Sequence, residues 1–223
     1  MNLRETDYAY LLEVDQTASP IIGYTKTILK GDTAADMSKA LAFTGLSFGV
    51  GCMRQVHGPA VKIIEASGAY ECDGIFTKEA QLALVVRTAD CLPLIFCSGR
   101  EDVVGVVHMG WRSAKDGILD NIPYRLDSFS CVAGIGMRKC CYRVGAEFLR
   151  YGLLAEFVEE RSGGFYFDPV GFARETLKTK GLREGDFFDL GKCSVCSGDS
   201  LYSYRRTKTT ARTLSFIARY DKA

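Results

Sequence analysis

Histidine is scarce in this chain, because its 223 residues include only two, His57 and His108. A surplus of either charge is also missing, since 28 Lys and Arg and 27 Asp and Glu give a formal net charge of +1. This balance gives no reason to expect a nucleic acid or an anionic membrane as a partner. No apolar run is long enough to span a bilayer, and residues 1–7 lack the basic and then apolar order of a signal peptide.

Cysteine, in contrast, is abundant. Nine cysteines are an odd number and no export signal accompanies them, so we expect reduced thiols in a cytoplasmic protein rather than a disulfide scaffold. A hydrophobic content of 47% and a charged content of 25% are typical of a soluble globular protein. No linker is visible, and we predict a single domain over residues 1–223.

Continuous apolar runs predict strands that are buried on both faces. The clearest cover residues 82–86 and 103–107, and others cover 61–64, 94–97 and 130–135. Helical spacing predicts helices at residues 113–119, 146–160 and 170–179, the last capped by Asp168-Pro169. Because strands and helices do not alternate strictly, we expect an α+β fold of mixed β-sheets flanked by helices.

Both histidines and one cysteine stand next to predicted strands or in short polar motifs. His108 directly follows the run at 103–107, and Cys91 lies just beyond the run at 82–86. His57 precedes both runs in the sequence. Histidine and cysteine are the natural ligands of a borderline-soft metal such as zinc. We therefore predict a shared metal site, with a fourth position left for water as in catalytic zinc. The alternative is two unrelated histidines and a buried cysteine.

Carboxylates lie close to these ligands in the sequence. Asp90 precedes Cys91, and Asp73 lies before the run at 82–86. Either could orient a ligand histidine or shuttle protons, although Asp73 could equally be a turn residue before glycine. Arg112 lies beside Trp111, and we expect it to face the pocket or to stack on a ring.

A second polar segment follows Tyr202 near the C-terminus. Tyr204, Arg205 and Arg206 could supply a stacking surface for a base and contacts to phosphate. The competing interpretation is a solvated strand that carries aromatic and basic residues.

These motifs resemble those of the YfiH or laccase-domain family, formerly described as multicopper polyphenol oxidases. They follow the family's order over roughly residues 50 to 220: Gln55-Val56-His57-Gly58, Cys72-Asp73-Gly74-Ile75-Phe76-Thr77, Thr88-Ala89-Asp90-Cys91-Leu92-Pro93, His108-Met109-Gly110-Trp111-Arg112-Ser113, Cys140-Cys141-Tyr142-Arg143-Val144-Gly145 and Tyr202-Ser203-Tyr204-Arg205-Arg206.

The resemblance implies an enzyme that holds zinc with His57, Cys91 and His108. It implies a purine nucleoside phosphorylase, with purine nucleosides and phosphate as substrates, that also deaminates adenosine and cleaves methylthioadenosine. The older family name implies copper-dependent oxidation of phenols, and Cu²⁺ is an alternative metal because blue copper sites use two histidines and a cysteine. Two histidines cannot build the histidine-rich trinuclear cluster of a true multicopper oxidase.

On this basis we expect the catalytic residues to be Cys91, Asp90, Asp73 and Arg112, and the substrate-binding residues to be Gln55, Lys26, Tyr204, Arg205 and Arg206. The chain also departs from the family. The family's N-terminal Ser-Thr-Arg-x-Gly-Gly stretch has its nearest counterpart in residues 23–27, where Lys26 is the only obvious substitute for the arginine. Lysine keeps the charge but loses the bidentate fork. Ser113 replaces the last glycine of His-x-Gly-Trp-Arg-Gly.

Two alternatives stay open. Cys91 could be the nucleophile of a metal-free cysteine hydrolase, with His108 or His57 as its base. Separately, Cys193-Ser194-Val195-Cys196 together with Cys140 and Cys141 could form a four-thiolate site. The adjacent pair has poor ligand spacing, so we expect no second metal.

Overall fold

Strands form most of the regular structure of the computed structural model, which describes residues 2–7, 9–13, 20–26, 33–161, 163–198 and 201–220. In chain order they are β1 (Asn2–Glu5), β2 (Ala9–Glu13), β3 (Ile21–Thr25), β4 (Gly49–Arg54), β5 (Val61–Ile63), β6 (Gly68–Glu71), β7 (Gly74–Thr77), β8 (Leu82–Thr88), β9 (Leu92–Ser98), β10 (Val103–Met109), β11 (Ser130–Ala133), β12 (Arg143–Val144), β13 (Val158–Arg161), β14 (Gly164–Phe167), β15 (Phe187–Asp189) and β16 (Thr213–Ala218).

The helices are few and short. They are α1 (Thr33–Leu41), α2 (Trp111–Lys115), α3 (Pro169–Thr179) and α4 (Tyr204–Thr207), with 3₁₀ turns at Ala42–Thr44, Ala146–Arg150, Gly152–Phe157 and Glu184–Asp186. In the parts of the chain that the structure describes, no helix has the length and apolar character needed to cross a membrane.

The strands form two large mixed sheets and a small one. The seven-stranded sheet has the order β1-β2-β3-β16-β8-β4-β6, and the six-stranded sheet has the order β15-β11-β9-β10-β7-β5. A three-stranded sheet, β12-β14-β13, lies beside them. Parallel and antiparallel pairs occur together, since β8 pairs with β4 in parallel and with β16 in antiparallel. The α+β prediction of mixed sheets with few helices is confirmed.

The two large sheets pack face to face and each has a covered outer face. Leu84 and Val86 of β8 pack with Val104 and Val106 of β10 in the cluster between the sheets. The alternate residues of β8, Ala83 and Val85, face α1, and those of β10 face α2 and α3. Both strands are therefore buried on both faces, which explains their uninterrupted apolar sequence.

One predicted element, and the competing interpretation of a strand near the C-terminus, are wrong. Residues 146–160 form two 3₁₀ turns and then β13 instead of a helix, because Gly152 has a φ of +53° and residues from 158 pair with β14. The segment around Arg205 is one turn of helix rather than a strand, since the Ser203 side chain accepts a hydrogen bond from the Arg206 N–H. In contrast, α3 begins as predicted, with the Asp168 carboxylate accepting from Val170 and Gly171.

The strand that leads to His108 depends on a glycine. A Cβ atom on Gly105 would collide with the ring of Phe76, which is fully buried on the neighbouring strand β7. We expect Gly105→Ala to lower the free energy of unfolding by about 1–3 kcal/mol because the packed ring must move. Denaturant unfolding measures this, and Gly99→Ala, where a Cβ meets no atom within 4 Å, is the matched control. Equal stability of both variants would contradict the prediction.

Candidate metal centre and adjoining cavity

A buried carboxylate organises the loop that follows β4. Asp73 has no exposed surface, and its oxygens accept hydrogen bonds from the backbone N–H groups of Val56, His57 and Gly58, each at 3.0 Å. These three bonds hold the loop in a conformation in which His57 has a φ of +61°. Asp73 is therefore a structural anchor rather than an ordinary turn residue.

The same carboxylate fixes the ring of His108. The His108 side chain lies on the face of β10 that Val104 and Val106 also occupy, so it points between the sheets. Its Nδ1–H donates to Asp73 Oδ1 at 2.7 Å, and the residue is 2% exposed. With Nδ1 engaged, Nε2 is the nitrogen that is left for a ligand.

Cys91 lies in the turn that carries the chain from β8 in one sheet to β9 in the other. Asp90, with a φ of +95°, precedes it. The Asp90 carboxylate accepts hydrogen bonds from the Ser194 hydroxyl at 2.7 Å and from the Arg205 N–H at 2.6 Å, and its backbone carbonyl accepts from the Met137 N–H at 2.7 Å. These contacts, from two distant segments, hold the turn that presents the Cys91 sulfur.

The three side chains predicted from sequence converge. One ligand atom from each of His57, Cys91 and His108 lies within 4.8 Å of the others, and Cys91 Sγ is 3.9 Å from His57 Nε2. Gly110 keeps this space open, since a Cβ there would lie 3.1 Å from His57 Cδ2 and 3.3 Å from the Cys91 sulfur. Two imidazoles and one thiolate are a donor set that suits zinc or copper. The group could therefore hold a metal ion.

The side chains of this group shift one another's pKa values. Burial disfavours a charged His108, but hydrogen bonds to Asp73 and Cys91 outweigh it and raise the pKa of His108 to about 9. Burial likewise raises the pKa of the Cys91 thiol, whereas His108 and His57 lower it, to a net value of about 6. At neutral pH this gives a thiolate beside an imidazolium. A metal ion must displace the proton on His108, so its affinity falls as the pH falls.

A cavity of about 680 Å³ opens next to these ligands. Its lining is strongly cationic, and Asp90 is its sole carboxylate among the described residues. The cations are Arg54, Arg87, Arg112, Arg205, Lys208 and Arg212. Such an excess, in a chain whose formal net charge is only +1, indicates a site for an anionic ligand.

The family model described as "Multi-copper polyphenol oxidoreductase laccase" matches residues 30–220. The chain belongs to this laccase family. Among its relatives, the purine nucleoside phosphorylase of Aquifex aeolicus (strain VF5) is 34% identical over 163 residues, which cover 70% of this chain and 76% of the relative. The Shigella flexneri protein named purine nucleoside phosphorylase YfiH is 30% identical over 184 residues, with coverage of 74% and 72%.

The crystal structure of YlmD from Geobacillus stearothermophilus shares the fold. It superposes with a TM-score of 0.86 over 98% of both chains, at 21% sequence identity. The laccase family fold predicted from the sequence motifs is therefore confirmed. In it, the loop after β4, the turn between β8 and β9, and strand β10 bring His57, Cys91 and His108 together.

Several other predicted site residues lie in the cavity wall. Tyr204 and Arg205 line it from α4, and the Arg112 guanidinium lies 4.6 Å from the centre of the Trp111 ring. Gln55 also lines the cavity, but its side-chain amide is already hydrogen-bonded to the backbone of Arg87. It donates to the Arg87 carbonyl and accepts from the Arg87 N–H.

The structure does not bring Lys26 and Arg206 to the cavity lining. The Lys26 ammonium lies 2.7 Å from the Glu5 carboxylate. The Arg206 guanidinium donates to the carbonyl oxygens of Ser194, Val195 and Leu201, so it holds a loop together. We therefore assign neither residue to substrate.

Sequence motifs missed most of the cavity's cations. Arg54 is the last residue of β4 and Arg87 the last but one of β8, and no described residue hydrogen-bonds to their guanidinium groups. Lys208 and Arg212 follow α4. A possible signal was that Arg54 and Arg87 each interrupt a sequence of mostly apolar or small residues just before a ligand motif.

Replacing Asp73 with asparagine tests its anchoring role. An asparagine nitrogen would face N–H donors, and the charge-assisted bond to His108 would be lost. We expect metal affinity to fall by about 10–100-fold, as for other residues that orient metal ligands. Competition with a chelator measures the affinity, and Asp116→Asn, at an exposed residue outside the site, is the control. An unchanged metal affinity in Asp73→Asn would remove Asp73 from the site.

Proposed function

We propose that this chain, as one domain over residues 1–223, is a zinc-dependent purine nucleoside phosphorylase that also deaminates adenosine and cleaves methylthioadenosine. The observation that carries the proposal is a cation-lined cavity that opens onto the His57, Cys91 and His108 group. The names of the Aquifex aeolicus and Shigella flexneri relatives support it. The substrates are then purine nucleosides and phosphate, and nine free thiols suit a location in the cytoplasm.

Phosphorolysis joins a phosphate oxygen to the anomeric carbon of the ribose and breaks the bond from that carbon to the purine nitrogen. The departing base takes up a proton. The reaction therefore requires an anion site close to the sugar and a surface on which the base can stack. Arginine suits the first requirement, because its planar fork binds phosphate oxygens in pairs.

The cavity offers both surfaces. Arg54 and Arg87, whose guanidinium groups have no described partner, are the residues that we assign to phosphate. Tyr204 is 51% exposed and presents its ring at the cavity, where it can stack on a purine. Arg205 and Arg112 line the same cavity and add positive charge to it, which stabilises the developing negative charge of the leaving base.

The metal ligands and their neighbours have distinct roles in this proposal. His57, Cys91 and His108 would hold the zinc ion, which when bound would supply Lewis-acid chemistry to the site. Asp73 orients His108 by accepting its Nδ1 proton. Asp90 is a positioning residue rather than a proton shuttle, because both of its carboxylate oxygens already accept hydrogen bonds.

A metal-free cysteine hydrolase is the second candidate. The Cys91 pKa of about 6 and the His108 pKa of about 9 favour it, because they describe an activated thiolate beside an acid. A nucleophile needs one histidine, however, and here two converge on the sulfur. Copper-dependent phenol oxidation, suggested by the family's description, would use the same three ligands.

Phosphate dependence separates these candidates. Purified protein is incubated with inosine, with and without phosphate, and the release of hypoxanthine is followed. We expect base and ribose 1-phosphate to form only when phosphate is present. Base release that continues without phosphate would indicate a hydrolase, and no release in either condition would contradict the proposal. Conversion of adenosine to inosine without phosphate tests the deaminase activity.

The phosphate assignment gives a further prediction. Removing the guanidinium in Arg87→Ala deletes a charge-assisted contact of about 1.5–3 kcal/mol, so we expect the KM for phosphate to rise by about 10-fold or more. The KM for inosine should change much less, because the base stacks elsewhere. Steady-state kinetics measure both constants, with Arg100→Ala, an exposed arginine outside the cavity, as the control. An unchanged KM for phosphate would exclude Arg87 from the phosphate site.

A further inference from the structure

Four cysteines outside the first site come together in the fold. The sulfurs of Cys140, Cys141, Cys193 and Cys196 all lie within 4.8 Å of one another, and all four are free thiols. The sequence argument against a second metal rested on the poor spacing of the adjacent pair. It failed to foresee this cluster because its two halves are more than 50 residues apart and the fold alone brings them together.

The sulfur separation fits a metal better than a disulfide. Cys140 Sγ and Cys196 Sγ are 3.7 Å apart. A tetrahedral zinc ion with Zn–S bonds of about 2.3 Å requires sulfur–sulfur edges of about 3.8 Å. A disulfide would require about 2.05 Å. The distance therefore matches one edge of a four-thiolate zinc site.

Backbone contacts fix the position of Cys193, the most buried of the four cysteines. Cys193 forms a parallel β-bridge with Gly136, and the Ser194 N–H donates to the Gly136 carbonyl at 3.1 Å. The Ser197 N–H donates to the Cys193 carbonyl at 3.2 Å, which closes the turn between the two cysteines. This second observation indicates a ligand turn that is already formed.

We propose that Cys140, Cys141, Cys193 and Cys196 hold a second, structural zinc ion. On binding, each thiol releases its proton to solvent, the metal forms four Zn–S bonds, and no atom changes oxidation state. Four protein ligands complete the tetrahedron and leave no open position, so this ion stabilises the fold and takes no part in the chemistry.

The second ion would stabilise the segments that hold the Asp90–Cys91 turn of the first site in place. It joins the segment after β11, whose Met137 lines the cavity, to the segment that leads into α4, whose Tyr204 and Arg205 line it. Ser194, between two of the cysteines, donates to the Asp90 carboxylate. Arg205, beyond them, donates its backbone N–H to the same carboxylate and its side chain to the Arg143 carbonyl. The turn that presents Cys91 therefore depends on the four-cysteine site.

Metal content and zinc X-ray absorption of protein purified without added zinc or chelator test the proposal. We expect about two zinc ions per chain in the wild type and about one in Cys196→Ala, whose side chain is exposed and costs no packing. Cys97→Ala, outside both clusters, should keep two. His57→Ala should keep one zinc with sulfur neighbours alone at about 2.3 Å, whereas nitrogen neighbours lie at about 2.0–2.1 Å.

The outcomes separate the two sites. Zinc that is unchanged in Cys196→Ala, or a wild type that holds one zinc with nitrogen neighbours, would overturn the second site and leave the proposed function intact. A disulfide between Cys140 and Cys196, with no zinc lost in the variant, would also overturn it. If Cys196→Ala does not fold, the zinc neighbours in His57→Ala decide the question alone.

Discussion

Cys91→Ala is expected to reduce phosphorolysis of inosine by about 10³-fold, because Lewis-acid stabilisation by a bound metal contributes several kcal/mol to the transition state. Cys91 supplies the one thiolate in the metal site that we propose, and its sulfur lies 3.9 Å from His57 Nε2. Without it, only two histidines remain to hold the ion, and they hold it weakly. The measurement is kcat/KM for inosine at saturating phosphate, together with zinc content.

If Cys91 is a metal ligand, kcat/KM and zinc content must fall together in Cys91→Ala. Cys97→Ala removes a half-buried cysteine from the adjoining strand and should keep both activity and zinc, which controls for the loss of a thiol. If Cys91→Ala loses activity while its zinc content stays equal to that of the wild type, Cys91 is a nucleophile and the hydrolase interpretation takes precedence. Full activity in the variant would contradict both.

Asp90→Ala is expected to have the next largest effect, although Asp90 is not proposed to touch a reacting atom. Alanine at a φ of +95° costs about 1–2 kcal/mol in backbone strain. The Arg205 N–H, which donates to the carboxylate at 2.6 Å, loses its acceptor at a cost of about 1–3 kcal/mol. We expect the melting temperature to fall by about 5–15 °C. We also expect kcat/KM to fall by about 100-fold, because Cys91 is displaced.

Three variants distinguish strain from lost hydrogen bonds. Asp90→Gly relieves the backbone strain but, like alanine, lacks both acceptor oxygens. Asp90→Asn tolerates the positive φ and retains one acceptor oxygen. Ser194→Ala removes a single neutral bond at a cost of about 1 kcal/mol. We expect both asparagine and glycine to be more stable than alanine. If alanine equals the wild type in stability and in kcat/KM, Asp90 does not position Cys91.

The sequence predicted those elements whose signals are local. Residues 82–86 and 103–107 are continuous apolar runs, and they form strands that are buried on both faces. One face of each strand packs against the other sheet, and the opposite face packs against helices. Asp168 before Pro169 marked the start of α3. The grouping of His57, Cys91 and His108 was predictable because the chain has only two histidines, because each of the three lies near the end of a strand, and because the family motifs implied it.

What the sequence did not predict depends on contacts between distant segments. Arg54 and Arg87 sit on neighbouring parallel strands, and Arg212 follows α4, so only the fold brings them to one cavity. Helical spacing at 146–160 was misleading because Gly152 and pairing with β14 override it. Lys26 carries the right charge but lies against Glu5, a partner that proximity in sequence does not reveal.

The metal content of the first site, measured with activity in the same samples, tests the central claim most directly. Wild type, His57→Ala, Cys91→Ala and His108→Ala are purified without chelator, and zinc and phosphate-dependent inosine cleavage are determined for each. We predict that every variant loses one equivalent of zinc relative to the wild type and nearly all activity, while Cys97→Ala keeps both. Wild-type zinc content and activity in any of the three ligand variants would contradict the account.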